Sequence, residues 1–483
     1  MDRRLFIKQT GALAIAGAVS AYGVGAEKKK PNVVLIMADD LGWSELGCYG
    51  QEKIMTPNID KLAKEGMKLM QYYAGSGVCA PTRCNLMTGK HGGHAYIRDN
   101  GEMRNKPGGI WGGQTPLPLN EPGIAKTLKK QGYATGCFGK WGLGGMDTTG
   151  DPLSQGFDRF YGFNCQRHAH NLYPKYLVSD KTNEPLKGNM RKLTGETYGP
   201  QRVADEMLEF VKKNKDKPFF VYYPTVIPHL ALQVPEKYVE MYEGKWDETP
   251  YKGGSYLPHP KPKACYAGMI TFMDEQIGRL MSLLKELGLD EDTIVIFTSD
   301  NGTTYLKGQV DYEFFKSVGP LKGLKGSLYE GGIRMPFIAR WPGKIKPGTT
   351  DDYLLSAHYD MPATIADIAG TEFDEGTDGV SILPTLLGRK SEQKKHPYLF
   401  WDFAGYGGQL AVRMGKWKGI KRNLRKDPNA PLELYDLEKD IGEKNNVVAE
   451  NPEVAAEINK IMIAARTKPR LKRFSFGKYS DSN

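Results

Sequence analysis

Cysteine is scarce in this chain, with six among 483 residues, at positions 48, 79, 84, 137, 165 and 265. If one of them is chemically modified five remain, an odd number that cannot all pair, so no disulfide framework is inferred. Long apolar runs are lacking too. After residue 26 no stretch approaches the ~20 apolar residues of a membrane helix, which excludes a membrane span in the mature chain. Lysine and arginine are dispersed, and no basic run is interleaved with stacking aromatics, so nucleic acid is not the expected partner. There is no internal repeat and no low-complexity segment.

What is present bounds the class. Forty per cent hydrophobic residues are enough for a large core, and the length alone allows two or three domains. Residues 1–8 carry Arg3, Arg4, Phe6 and Lys8 and precede an apolar run over 11–19, with small residues at 24–26. This reads as an export signal over residues 1–26. The arginine pair looks like the twin-arginine type, the alternative being an ordinary secretory signal. The expected location is periplasmic or secreted, in a bacterium. The formal net charge is +10; the leader holds three basic residues and one acidic residue, leaving +8 on the mature chain. Such a surface attracts polyanions. An anionic polysaccharide fits, and 11% aromatic residues suit sugar faces, notably in the aromatic-rich stretch 161–174.

Continuous apolar strands alternate with amphipathic helices. Strands are predicted over 31–38, 134–139, 218–224, 293–299 and 335–341, and helices over 58–70, 123–131, 202–213, 268–287 and 362–369. This pattern predicts an α/β fold with a mostly parallel central sheet covered by helices on both faces. After residue 378 the pattern shifts to short antiparallel strands (398–403, 408–414, 416–420, 434–437) and a closing helix over 452–465. The expected division is a catalytic domain over 30–377 and a smaller α+β domain over 378–475.

The stretch 77–89 organises the rest. Cys79, Pro81 and Arg83 lie at the start of a predicted helix; residues four apart share a helix face, and a helix N-terminus favours negative charge. The place is built to hold an anion over Cys79. A cysteine-dependent phosphatase would need five residues between Cys and Arg, and here there are three. A zinc site from Cys79, Cys84, His91 and His94 has no standard finger or ribbon spacing. A buried, inert cysteine is the plain alternative.

Other chemical residues follow predicted strands. Asp39 and Asp40 follow the first, Asp300 and Asn301 the one at 293–299, Lys140 the one at 134–139, and His229 the one at 218–224. Ligands of open α/β sheets bind outside the carboxyl ends of strands. Carboxylates crowded there repel unless a cation sits among them, and all-oxygen ligation suits Ca²⁺ or Mg²⁺. Taken singly, each acidic pair also reads as a cap or turn, each lysine as a solvated charge, and His229 as a loop histidine.

Cys79-Ala80-Pro81-Thr82-Arg83 with Met87-Thr88-Gly89-Lys90 resembles the signature of the formylglycine-dependent sulfatases, in the alkaline phosphatase superfamily. Thr82 stands where many members have Ser, and Met87 where many have Leu. Gly139-Lys140-Trp141, Pro228-His229, Lys325 before Tyr329-Glu330-Gly331-Gly332, and Leu434-Tyr435-Asp436-Leu437 extend the resemblance from about 31 to 435. It implies an alkaline-phosphatase-like fold and a Ca²⁺ site, ahead of Mg²⁺, from Asp39, Asp40, Asp300 and Asn301. It also implies oxidation of Cys79 to formylglycine (3-oxoalanine) by a formylglycine-generating or sulfatase-maturing enzyme. Arg83 would stabilise the hydrated aldehyde, Lys140 and Lys325 would bind the sulfate, and His229 would protonate the leaving oxygen. One hydroxyl of the hydrate attacks sulfur, and deprotonation of the other then expels sulfate.

The expected activity is hydrolysis of sulfate esters, those of a sulfated glycan or a small sulfate ester; the alternative is a phosphate mono- or diester hydrolase of the same superfamily. One departure stands out. Many members carry His two residues after the catalytic lysine, and this chain has Gly142. His168 or His170 is then expected to supply an imidazole or to bind substrate. His94 and Arg98, in a stretch loosely similar to members acting on galactose-type sugars, are further candidates for substrate binding.

Overall fold

The computed structural model describes residues 30–102, 113–304, 310–374 and 376–479; the expected leader lies outside them. The strand Asn32–Asp39 is apolar at every position but its ends and wholly buried. Its alternate residues feed two different cores: Val34, Ile36 and Ala38 pack on one face of the sheet, Val33, Leu35 and Met37 on the other. This is the behaviour of a parallel strand covered on both sides.

Five parallel strands form the middle of a ten-stranded sheet, in the order Thr293–Ser299, Asn32–Asp39, Phe219–Pro228, Ala134–Lys140 and Arg159–Phe163. Beyond Thr293–Ser299 lies the antiparallel strand Phe337–Arg340, and beyond Arg159–Phe163 the antiparallel pair Tyr176–Ser179 and Thr182–Pro185. Helices Pro57–Lys64, Gly199–Lys213 and Pro262–Glu286 contribute to the first core. Helices Cys79–Thr88, Ile124–Lys130 and Met361–Ile368 contribute to the second. The expected α/β architecture is therefore present, with antiparallel strands at the margins.

A separate antiparallel sheet runs Leu399–Phe403, Gln409–Met414, Trp417–Lys421, Glu433–Asp436. Phe400 and Val412 pack with Ile458, Ile461 and Met462 of helix Pro452–Ala464, while Trp401, Ala411 and Ile420 pack into the second core of the main sheet. Trp401 Nε1 donates to the Ala74 carbonyl at 2.8 Å, which seats the small sheet beside the loop preceding Cys79.

Two expectations need correction. The helix predicted over 58–70 ends at Lys64, and Met67–Leu69 is a strand paired with Phe337–Arg340. Gly66 permits this because a Cβ there would lie 2.3 Å from the Ala339 carbonyl oxygen; the backbones approach too closely for any side chain. The aromatic stretch 161–174 offers no sugar platform, since Tyr161, Phe163 and Tyr173 are buried in the first core. Among the described residues no helix is long and apolar enough to cross a membrane.

Candidate active site

The helix Cys79–Thr88 starts at the carboxyl end of the parallel strands, with Pro81 in its first turn, where a missing N–H costs nothing. It is buried on every face. The Ala80 N–H donates to Asn100 Oδ1 at 2.8 Å. Thr82 Oγ1 accepts from the Ser76 N–H and donates to the Ser76 carbonyl, both at 2.9 Å. Thr82 thus keeps a hydroxyl at the position where the signature it resembles has Ser. Arg83, one turn on from Cys79, donates to Asp300 Oδ2 at 2.8 Å and to the Lys140 carbonyl, and lies 3.5 Å from Asp39 Oδ2.

The predicted strand-end residues converge on Cys79. Lys140 Nζ lies 2.6 Å from Asp39 Oδ2 and 3.5 Å from Cys79 Sγ, and Cys79 Sγ lies 3.5 Å from Asp39 Oδ1. Lys325 Nζ pairs with Asp40 Oδ2 at 2.7 Å, and His229 Nε2 is 3.7 Å from the same oxygen. The His229 Nδ1–H donates to the Leu230 carbonyl at 2.5 Å, which turns Nε2 toward Asp40. Asp40 adopts φ 64°, a left-handed conformation that Asp tolerates better than most residues, and its N–H donates to Asp300 Oδ1 at 3.1 Å.

Three buried carboxylates and three cations balance here. Burial alone would raise the Asp39 carboxyl, but Lys140, His229, Arg83 and Lys325 together hold it well below the usual carboxylate range. Asp300 is pushed up to about 6 by burial and by the Asp39 charge. Burial pushes the Cys79 thiol up to about 12 against the pull of Lys140 and Lys325, so as a thiol it stays protonated. Burial and the same two lysines depress His229 well below the imidazole range.

The residues fit a hard divalent cation. Asn301 donates from Nδ2 to Asp40 Oδ1 at 2.8 Å, while its Oδ1 is buried with no hydrogen-bond partner. An unmet carboxamide oxygen beside Asp39, Asp40 and Asp300 completes an all-oxygen donor set. Single ligand atoms of Asp39, Asp40, Cys79 and His229 also lie within 4.8 Å of one another.

A cavity of about 180 Å³ opens over Cys79, lined by Asp40, Gln166, His170, His229 and Lys325, with Asn100, Tyr256, Thr304 and Tyr406 also on its wall. His170 stacks on His229 with ring centroids 5.4 Å apart, and burial, with His229 next, pushes it down to about 2. Gln166, Asn100, Tyr256 and Tyr406 were not among the residues expected here. Gln166 stood in a stretch picked out only for its histidines.

Four expected substrate contacts are absent from this lining, one of them Lys140, which is fully buried and reaches Cys79 Sγ without joining the cavity wall. Arg98 is fully buried, donating to Asp402 Oδ2 at 2.9 Å and to the carbonyls of Gly93 and Ala95; its guanidinium ties the 91–98 loop to the small sheet. His94 Nδ1 lies 2.8 Å from Asp378 Oδ1 and its ring stacks on His91. His168 uses both nitrogens, accepting from the Asn164 N–H at 3.3 Å and donating to the Tyr176 carbonyl at 2.9 Å. The zinc alternative also dissolves, because His91 and His94 group with Asp378 and not with Cys79. All six cysteines are free.

Comparison with known proteins agrees with this geometry. A family model described as Sulfatase matches residues 31–371, and a second, N-sulphoglucosamine sulphohydrolase, C-terminal, matches 324–468. Human arylsulfatase A is 31% identical, over 91% of this chain and 88% of its own length. An N-acetylgalactosamine-6-O-sulfatase of Bacteroides thetaiotaomicron is 29% identical, over 92% of this chain and 94% of its own. Among solved structures, Ps i-CgsB in complex with k-i-k-neocarrahexaose superposes with a TM-score of 0.76 at 27% identity, covering 92% of this chain and 94% of that one. The chain belongs to the sulfatase family and is a sulfuric ester hydrolase of the alkaline-phosphatase-like fold.

Proposed function

We propose that this is an exported sulfatase that removes sulfate from a sulfated carbohydrate, with Cys79 matured to formylglycine as its nucleophilic position. The observation that carries the reading is the convergence of Lys325 and His229 on one cavity over Cys79, with Lys140 Nζ 3.5 Å from Cys79 Sγ. The carbohydrate assignment is supported by the relatives, one an N-acetylgalactosamine-6-O-sulfatase and one held with a neocarrahexaose, and by the positive charge of the mature chain.

A sulfate monoester carries one negative charge, and its cleavage needs that charge held and the leaving oxygen protonated. Lys140 and Lys325 hold the sulfate oxygens. Arg83, locked by Asp300, fixes position 79 and adds positive charge at the helix start. His229 presents Nε2 to the leaving oxygen, and an anion arriving between Lys140 and Lys325 offsets the two charges that depress its imidazole. As formylglycine, position 79 would supply a hydrated aldehyde, an oxygen nucleophile, in place of a thiol that burial keeps protonated. Asp39, Asp40, Asp300 and Asn301 would hold a divalent ion, Ca²⁺ ahead of Mg²⁺, which when bound polarises the sulfate.

This reading requires a formylglycine-generating or sulfatase-maturing enzyme as partner. It takes residues 1–26 as the leader, by the twin-arginine route to the periplasm or beyond, residues 30–377 as the catalytic domain and 378–475 as the smaller one. The test is release of inorganic sulfate from a panel of defined sulfated sugars, beside matched aryl sulfate and aryl phosphate esters. Sulfate release from at least one sugar is expected. Phosphate release without any sulfate release would overturn the assignment in favour of a phosphoester hydrolase.

A further inference from the structure

Position 142 is glycine with φ +80°, where many sulfatases carry histidine. A Cβ built there would lie 2.5 Å from Gln166 Nε2 and 3.8 Å from Arg83 Cδ. The Gln166 side chain therefore occupies the space that a side chain at 142 would enter, next to Arg83 on the helix that begins at Cys79. The placement follows from the sheet: Ala134–Lys140 pairs in parallel with Arg159–Phe163, and the Gly142 N–H donates to the Asn164 carbonyl, so the chain after each strand runs alongside the other.

Gln166 is 6% exposed and lines the cavity with Cys79, His229 and Lys325. Its backbone N–H is committed to Gln114 Oε1 at 3.0 Å, yet neither Nε2 nor Oε1 of its side chain has a hydrogen-bond partner. Leaving a buried polar group unmet forfeits its hydration without replacing it. Two such groups on one carboxamide, on a residue that lines the reaction cavity, indicate that a ligand meets them.

We infer that Gln166 is a catalytic residue of this chain, its carboxamide seated in the space left by Gly142 and hydrogen-bonded to the sulfate group of the bound ester. The inference rests on the sulfatase reading above. Nε2–H donates to a sulfate oxygen, and Oε1 accepts from a hydroxyl or water beside it. An amide neither takes nor releases a proton at neutral pH, so Gln166 orients the sulfate and does not replace the missing histidine as a base.

The experiment compares wild type, Gln166→Ala and the near-isosteric Gln166→Met on a sulfate ester that the wild type hydrolyses. The readouts are kcat, KM, competitive inhibition by inorganic sulfate, and melting temperature. Loss of one preorganised donor to a reacting oxyanion lowers kcat on the order of 100-fold, so a fall of that size is expected in both variants. Weaker inhibition by inorganic sulfate should accompany it, at an unchanged or higher melting temperature. If Gln166→Ala does not fold, Gln166→Met, which fills the same volume without donor or acceptor, decides alone. Gln166→Glu adds a signature that a space-filling role would not produce: its carboxylate repels sulfate, so KM rises, and activity recovers as the pH falls and the carboxyl is protonated. A Gln166→Met enzyme with wild-type kcat and wild-type inhibition by sulfate would overturn the inference while leaving the sulfatase reading in place. A wild type that releases no sulfate from any ester would overturn that reading, and this inference with it.

Discussion

Lys140 and Asp39 stand 2.6 Å apart although they end strands separated in the sheet by Phe219–Pro228. Their side chains meet in front of that intervening strand, at the place where Cys79 Sγ also arrives. One ammonium thus offsets a fully buried carboxylate and reaches the reacting position.

Lys140→Ala should therefore lose more than sulfate binding. Removing one partner of a buried ion pair typically costs about 3–5 kcal/mol. Urea unfolding of the metal-free protein should show a loss of that order, and turnover should fall to background. A variant with normal stability would mean that Asp39 is neutralised without Lys140.

Asn301→Ala removes the carboxamide oxygen that has no partner in the protein together with the Nδ2 donor to Asp40. Calcium affinity measured by titration calorimetry should weaken. Wild-type turnover should drop on chelation and return with added Ca²⁺. Full activity in demonstrably metal-free enzyme would remove the ion from the account.

Arg98→Ala separates a binding role from a structural one. Asp402 Oδ2 accepts from both Arg98 and Arg466 at 2.9 Å, and all three side chains are buried. Truncation should destabilise the protein by about 1–3 kcal/mol through its lost buried hydrogen bonds, Asp402 keeping its pair with Arg466, and leave KM for a small sulfate ester unchanged in the folded fraction. A raised KM with unaltered stability would restore Arg98 as a substrate contact.

Glu45 should make stability fall as pH rises. Burial pushes its carboxyl up to about 7, against hydrogen bonds from the Gly42 N–H and the Tyr266 and Thr303 hydroxyls. Because the folded carboxyl holds its proton more tightly than the unfolded one, the stabilisation is full below the unfolded value near 4.5. It is lost as pH climbs from there to about 7, for a total of about 3 kcal/mol. Denaturant midpoints across that range, compared with Glu45→Gln, should show a steeper slope in the wild type than in the variant, which keeps the raised carboxyls of Asp300, Asp274 and Glu443.

The centre of the site was legible because its signals are local. Cys79, Pro81 and Arg83 sit within five residues, and Asp39, Asp300, Lys140 and His229 each follow an apolar strand whose burial on both faces is written in its composition. What was not legible depends on distant partners. Arg98 looks like a free cation until Asp402, 304 residues on, arrives beside it, and the short strand Met67–Leu69 exists because Phe337–Arg340 and Thr349–Asp351 pair with it on either side. Tyr161 and Phe163 read equally as sugar platforms or as core until the parallel pairing of their strand places them inside. Gln166 was masked by the histidines around it; its significance lies in a gap at Gly142 that only the sheet register fills.

The most direct test of the account is peptide mass spectrometry at position 79 in enzyme that releases sulfate. The account predicts aldehyde at that position, with its occupancy tracking specific activity across preparations, and no turnover in folded Cys79→Ala. Full sulfate release by protein carrying only the unmodified thiol would contradict it.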